Sequence, residues 1–423
     1  MLPSRLLTAV LWAIIFILII PLYLRVAFVD PVDFYKGGIG AGDFKAYYIA
    51  AQLLRDRQSI YDPGLQDEAG SLLGFAPDQV YYVYPSVLAH LLLPLSRLPI
   101  EMAARIWNGL NLALLAGALW LLTKSFDLRH TLGRHYPWII ILFALAAPVF
   151  SALRIGQANI WLLFLLVAMV YFYRDGRLGL AGSALALATV IKIFPATLLL
   201  WFLWRREYRV LLAFGGTWVA VLGLNALLLA AGGRDWLLDW RYFTQVLPQV
   251  APPRQRDNQA LAGFLSRFVL SEAGRLLLLA GLSLAIVVVT AVATWRVRLP
   301  IHERYTYWLA LWLPALLLVG GITWTTTLIL LLIPFVILLV VGLAANGRAL
   351  PLVLLLALSY LLINGVRLLS SAGVAFEGSP WLMALPFYGL VVVWGTAVWV
   401  SWVQSIPSEY SAGSANNYTR APE

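Results

Sequence analysis

The stretch GGIGAGDFKAYYIAAQLLRDRQSIYDP, Gly37 to Pro63, decides how this chain is read. It breaks with acid, amide and glycine a sequence that has just supplied an apolar run from Leu6 to Phe28. That run is long enough to cross a bilayer. Its length, and the lack of small residues at its exit, set it apart from a cleaved signal peptide. Gly37, Gly38, Gly40 and Gly42 favour no regular element, and Asp43 then opens a segment of good helix formers, so a helix is expected from Phe44 to Arg57. On it Asp43, Tyr47, Ala50, Ala51 and Leu54 recur at helical spacing. A carboxylate, an aromatic ring and an apolar stripe thus share a face suited to lie on the bilayer surface. Asp43 has two compatible readings: an N-cap accepting from the free amides of the first turn, and a rigidly placed acid.

Outward from this stretch the chain is 61% hydrophobic and 12% charged over 423 residues, with a mean hydropathy of +0.83. Such values belong to an all-α polytopic membrane protein. Cysteine is absent, which excludes disulfides, thiolate metal sites and thiol nucleophiles. His90, His130, His135 and His302 lack the spacing of a metal site, and no DxD motif is evident, so no metal or other cofactor is expected. The net charge of +10 is spread over many loops and not gathered in a stripe. Membrane lipid head groups, and not nucleic acid, are its natural partner.

Arg5 precedes the first run and places the N-terminus in the cytoplasm. The first extracytoplasmic loop, residues 30–99, carries Asp30, Asp33, Asp43, Asp56, Asp62, Asp67, Glu68 and Asp78. Its end, YYVYPSVLAHLLLPLSRLP, is broken at Pro85, Pro94 and Pro99 and reads as interfacial or re-entrant. Further apolar runs alternate with basic loops. Among them Leu178 to Trp204 is interrupted at Lys192 and Pro195, where two short helices should meet at an outward-facing break. A second long loop, residues 232–275, follows. The expectation is a single transmembrane domain over 1–408 with about twelve helices, both termini cytoplasmic, and a disordered tail at 409–423. The host membrane would be the cell's inner or plasma membrane.

Two polar segments outside repeat one chemistry. RIGQANIW sets Gln157 and Asn159 beside Arg154, and DNQALAGFLSRF sets Asn258 and Gln259 before Arg267. Arg154, Lys192 and Arg267 stand at membrane boundaries without an acid close in sequence, so an anionic ligand such as a lipid phosphate would balance them. Snorkelling to lipid phosphates is the competing account. Amides to read sugar hydroxyls, cations for phosphate and one placed carboxylate point to glycosyl transfer from a lipid phosphate. A flippase or transporter for a lipid-linked saccharide, and a glycan ligase or polymerase, are the alternatives. Lys45, Tyr47, Tyr84 and Trp324 complete the candidate substrate-binding set.

The pieces GDFKAYYIAAQLL with IYDP, YPSVLAHLLLPLSRLP with WNGLNLALL, GQANIWLL, AGSALALATVIKIFP and DNQALAGFLSR stand in order over most of residues 40–270. In these the chain resembles the family 87 glycosyltransferases of the GT-C superfamily, which depend on polyprenyl-phosphate mannose. The resemblance implies a GT-C fold with short interfacial helices in the two long loops. It also implies a polyprenyl-phosphate-linked sugar as donor, a lipid or glycan acceptor, inverting hexosyl transfer on the extracytoplasmic face, and Asp43 as general base. One departure stands out. Where many members carry histidines after a tryptophan in a late outside loop, this chain has GITWTTTLI, with Thr325, Thr326 and Thr327. A hydroxyl holds a sugar but does not titrate near neutrality.

Overall fold

The computed structural model describes residues 4–29, 42–75, 81–246, 257–269, 271–297, 301–344, 349–375 and 378–403. The glycines before Gly42, several acids of the first loop (Asp30, Asp33 and Asp78) and the tail at 409–423 lie outside them. Helices dominate. Among the described residues seven are long and apolar enough to cross a membrane, or eight if one bent pair is a single span, and four shorter apolar helices accompany them. The chain divides into two compact units, residues 1–252 and 253–423.

The first unit begins with α1 (Leu6–Phe28), an apolar span with a π-helical turn at Ile15–Ile19. After it come α2 (Asp43–Arg55), α3 (Pro63–Leu72) and α4 (Ser86–Leu91). The helix α2 starts one residue before the expected Phe44, because Gly42 is its N-cap. It ends two residues before the expected Arg57, which takes a left-handed φ of 61° and turns the chain away. Nor does α2 lie on the bilayer. Phe44 through Ala51, Leu53 and Leu54 are all buried, so the helix is enclosed on every side by the loop and the bundle. The Pro-broken run forms the six-residue α4 and a 3-10 turn at Leu95–Arg97, each far too short to span.

The span α5 (Ile100–Phe126) leads to the bent pair α6 (Tyr136–Leu145) and α7 (Ala147–Arg154), which meet at 53°. Pro148 in the first turn of α7 explains the bend, since it has no amide to continue the ladder. Then come α8 (Asn159–Arg174) and α9 (Leu178–Ile191), about 24 Å and 21 Å long at 1.5 Å per residue. The expected break follows. Lys192 is extended at φ −141° and ψ 133°, and Phe194–Leu198 forms a 3-10 turn, with Pro195 in its first turn, before α10 (Leu199–Trp204). The span α11 (Tyr208–Ala231) leads to the four-residue α12 (Leu238–Arg241).

Polar clamps fix the first loop on this bundle. Asp239 of α12 accepts at 2.8 Å from both the amide and the hydroxyl of Ser86 at the start of α4. Asn225 of α11 donates to Asp239 at 2.5 Å and to the Ser86 hydroxyl at 2.8 Å, leaving its oxygen to accept from His90 Nδ1 at 2.5 Å. Arg234 donates to the carbonyl of Leu54 at 2.6 Å, closing the C-terminal end of α2.

The second unit holds α13 (Leu261–Phe268), α14 (Glu272–Arg296), α15 (Ile301–Val319), α16 (Leu332–Ala344), α17 (Ala349–Ser371) and α18 (Leu385–Val403). Thr325–Leu331 is a 3-10 turn leading into α16. Phe264 of α13 stacks on Phe387 of α18 at 4.3 Å between ring centroids. Across the bundle Trp394 donates to Thr290, Trp312 to Thr294 and Ser359 to the carbonyl of Gly389. Each bond satisfies a polar group that lipid would leave unpaired.

Candidate active site

Chain reversals of the first unit meet at the start of α2. One is the turn between α7 and α8. Its Gly156 sits at φ +67° and donates to the carbonyl of Leu153 at 3.1 Å, while Gln157 donates to Ala152 at 2.8 Å, the paired bonds of a Schellman helix end. RIGQ is therefore a helix stop, as its glycine suits. The same turn accepts α2, since the amide of Phe44 donates to the carbonyl of Ile155 at 3.2 Å. Glycines make this approach possible. A Cβ at Gly42 would lie 2.4 Å from the Ile155 oxygen, and one at Gly156 would lie 2.7 Å from Cβ of Phe44. Trp107 of α5 seals the joint, donating to the carbonyl of Gly156 at 2.7 Å and stacking on Trp161 at 5.1 Å.

Asp43 is thereby delivered beside Gln157. It stands at the first helical position, with Gly42 as N-cap, so its carboxyl is not the cap of its own helix. The amide of Gln157 hydrogen-bonds this carboxyl and the charge of Lys192 acts on it. Its Oδ2 is buried without a hydrogen-bond partner among the described residues. Burial pushes the acid above the usual carboxylate range, while Lys192 and then the Gln157 bond pull it back.

Lys192 reaches this point from the break after α9. Its Nζ donates to Asn159 Oδ1 at 2.8 Å and lies 5.8 Å from the centroid of the Tyr84 ring. Tyr84 meets Tyr47 edge to face at 5.0 Å, and the Tyr47 hydroxyl accepts from the amide of Ala158 at 3.4 Å. Asp43, Tyr47, Tyr84, Gln157, Asn159 and Lys192 thus form one cluster, around a carboxylate with a cation as its charged neighbour. Because these reversals touch, the first loop, the α7–α8 turn and the α9 break lie at one end of this unit.

Two candidates of this unit lie elsewhere. Lys45, two residues from Asp43 and so on the opposite side of α2, is buried 4.5 Å from the centroid of the Phe75 ring and feels the charge of Asp67. Arg154 is exposed at the end of α7. Trp107 and Trp161 were not singled out by the sequence, although WNGLN and GQANIW contain them. The indole N–H of Trp161 is buried without a partner among the described residues.

In the second unit Asn258 is fully buried and its amide joins loops. Its Nδ2 donates to the carbonyl of Gly321 at 2.9 Å, and its Oδ1 accepts from the amides of Thr323 at 2.9 Å and Ala260 at 3.0 Å. Its backbone pairs with Trp324 in a single antiparallel bridge. The sequence marked Asn258 as a reader of hydroxyls, but these bonds make it a loop clasp. Arg267 of α13 donates to the Asn258 carbonyl at 2.6 Å. Gln259 donates to the carbonyl of Met383 at 3.3 Å, while its Oε1 has no partner among the described residues. Among those residues no three His, Asp or Glu side chains converge.

The likeness to known proteins runs through both units. The chain is 27% identical over 368 residues to a polyprenol-phosphate-mannose-dependent alpha-(1-2)-phosphatidylinositol pentamannoside mannosyltransferase of Mycolicibacterium smegmatis, covering 85% of this chain and 84% of the relative. It is 27% identical over 353 residues to a mannosyltransferase of the same description from Mycobacterium tuberculosis, covering 80% and 78%. A phosphatidylinositol mannoside mannosyltransferase of the latter organism, also polyprenol-phosphate-mannose-dependent and alpha-(1-2), is 26% identical over 271 residues, 60% of each chain. The sequence pattern of glycosyltransferase family 87 matches residues 82–321. By that match, which takes in more than half of its length, the chain belongs to glycosyltransferase family 87.

Proposed function

We propose that the protein transfers a hexose, mannose by likeness to its relatives, from a polyprenyl-phosphate donor to a lipid or glycan acceptor, with inversion and with Asp43 as general base. One observation carries this reading: a buried carboxylate oxygen, Asp43 Oδ2, has no partner among the described residues and stands beside Lys192. In the reaction the acceptor hydroxyl donates to Asp43 and loses its proton to it. The acceptor oxygen bonds to the anomeric carbon as the bond from that carbon to the phosphate oxygen breaks on the opposite face. The departing polyprenyl phosphate carries the negative charge, which Lys192 stabilises from its seat on Asn159. Because the family pattern begins at residue 82, the role of Asp43 rests on its geometry and on the resemblance of GDFKAYYIAAQLL.

We assign the cluster to the extracytoplasmic face of a single GT-C domain over 1–408 with about twelve crossings and both termini cytoplasmic, from the alternation of basic loops. Gln259 and Arg267 of the second loop, and Trp324 of the later one, are assigned to the substrates. The experiment is transfer from polyprenyl-phosphate mannose by purified Asp43→Asn. The amide preserves size and hydrogen bonding but takes no proton, so the rate should fall by about 10² to 10⁴ with the fold intact. Activity within a few-fold of the unsubstituted protein would overturn the assignment.

A further inference from the structure

Two neighbouring side chains of the cluster carry buried acceptor atoms that no described residue satisfies. They are Asp43 Oδ2 and Gln157 Oε1. The amide N–H of Gln157 is held by the Asp43 carboxyl, which settles the orientation of that amide, because the reverse would set its oxygen against a carboxylate. The oxygen is therefore the end left over. Around it Lys192 gives one N–H to Asn159, the Tyr47 hydroxyl accepts from the Ala158 amide and the Trp107 indole donates to Gly156, while the indole N–H of Trp161 has no partner among the described residues.

Two buried acceptors on neighbouring side chains are costly unless each receives a donor. A phosphate brings acceptors and is repelled. A lone hydroxyl satisfies one of them. Hydroxyls on adjacent carbons satisfy both.

We propose that Gln157 is a specificity-determining residue that, with Asp43, binds the acceptor as a vicinal diol of a hexopyranoside. The hydroxyl to be glycosylated donates to Asp43 Oδ2, and the one on the adjacent carbon donates to Gln157 Oε1. This rests on the reading of Asp43 as base and names what that base faces. Only the first hydroxyl loses its proton, to Asp43. Gln157 exchanges none and sets which hydroxyl of the ring is presented.

The test uses purified full-length protein with methyl α-mannoside and its monodeoxy derivatives as probes. Binding is read from the rise in unfolding temperature with probe concentration. Removing either hydroxyl of the recognised pair should weaken binding to the unsubstituted protein at least tenfold. In Gln157→Leu the parent and the derivative lacking the Gln157-facing hydroxyl should bind within twofold of each other. Uniform binding of all derivatives to the unsubstituted protein, no binding of the parent, or an unchanged preference in Gln157→Leu would each overturn the proposal. The first two need no variant to fold. Diol-selective binding without sugar transfer would uphold the diol site and remove the transferase reading. Transfer without diol selectivity would do the opposite.

Discussion

Lys192 donates to Asn159 Oδ1 across 2.8 Å, joining the break after α9 to the first residue of α8. A hydrogen bond to a charged group contributes about 1.5–3 kcal/mol. Here it also decides where the ammonium points. Asn159→Ala should therefore raise the apparent KM for the lipid-phosphate donor about tenfold or more. The double variant with Lys192→Met should be little worse than Lys192→Met alone, since both remove one interaction. Donor dependence of the rate for the four proteins measures this. Additive losses would mean that Asn159 acts on something else.

The acid limb of the rate should lie above the ordinary carboxylate range. Burial raises the Asp43 pKa from 3.8, and a base works only when unprotonated, so activity falls as pH drops through the raised value. Lys192 holds that value down, so Lys192→Met should move the limb to higher pH. A pH profile at saturating donor gives the answer, and a limb that moves to lower pH would reverse the sign assigned to Lys192.

Gly156 bears no functional group, yet Gly156→Ala should cost both stability and activity. At φ +67° an added Cβ would sit 2.7 Å from Phe44 and 3.3 Å from the Trp107 ring. Left-handed backbone costs a non-glycine residue about 1–2 kcal/mol, and overpacking typically adds 1–3 kcal/mol. Thermal unfolding in detergent should show a lowered midpoint. The surviving folded fraction should turn over slowly, because Asp43 and Gln157 are held by this turn.

Asn258→Ala should behave as a structural variant. It leaves the amides of Ala260 and Thr323 and the carbonyl of Gly321 without their bonds, each costing about 1–3 kcal/mol if it stays buried. The midpoint of unfolding should fall while KM for donor and acceptor in the folded fraction stays near its original value. A raised KM with unaltered stability would restore Asn258 as a ligand contact.

The contrast between Lys192 and Asn258 shows what was legible in the sequence. Lys192 was readable because a charge and a proline three residues apart have no place in a continuous apolar helix, so the break and its polar environment follow from elementary costs. The apolar spans and the Pro-broken run before α5 were readable for the same reason. Asn258 was not, since an amide that clasps two loops and one that reads a sugar have the same sequence signature. The enclosure of α2 was hidden too. Its outer residues, such as Lys45 and Tyr48, look polar but pack against Phe75 and the carbonyl of Leu98. The Asp43–Gln157 pairing joins residues far apart in the chain, and no local pattern records it.

The bonds from Ser86 to Asp239 span 153 positions of sequence. At about 5–20 residues per second of synthesis, the ribosome needs roughly 8–30 s to cover that distance. During that interval α4 and its aromatic neighbours Tyr82 and Tyr84 lack their anchor, although α5 to α10 have already emerged. The surroundings of Tyr82 and Tyr84 are thus finished late, from a piece made early and a piece made after α11. A nascent chain halted before Asp239 should hold its first loop open to protease, and extension by a few dozen residues should close it.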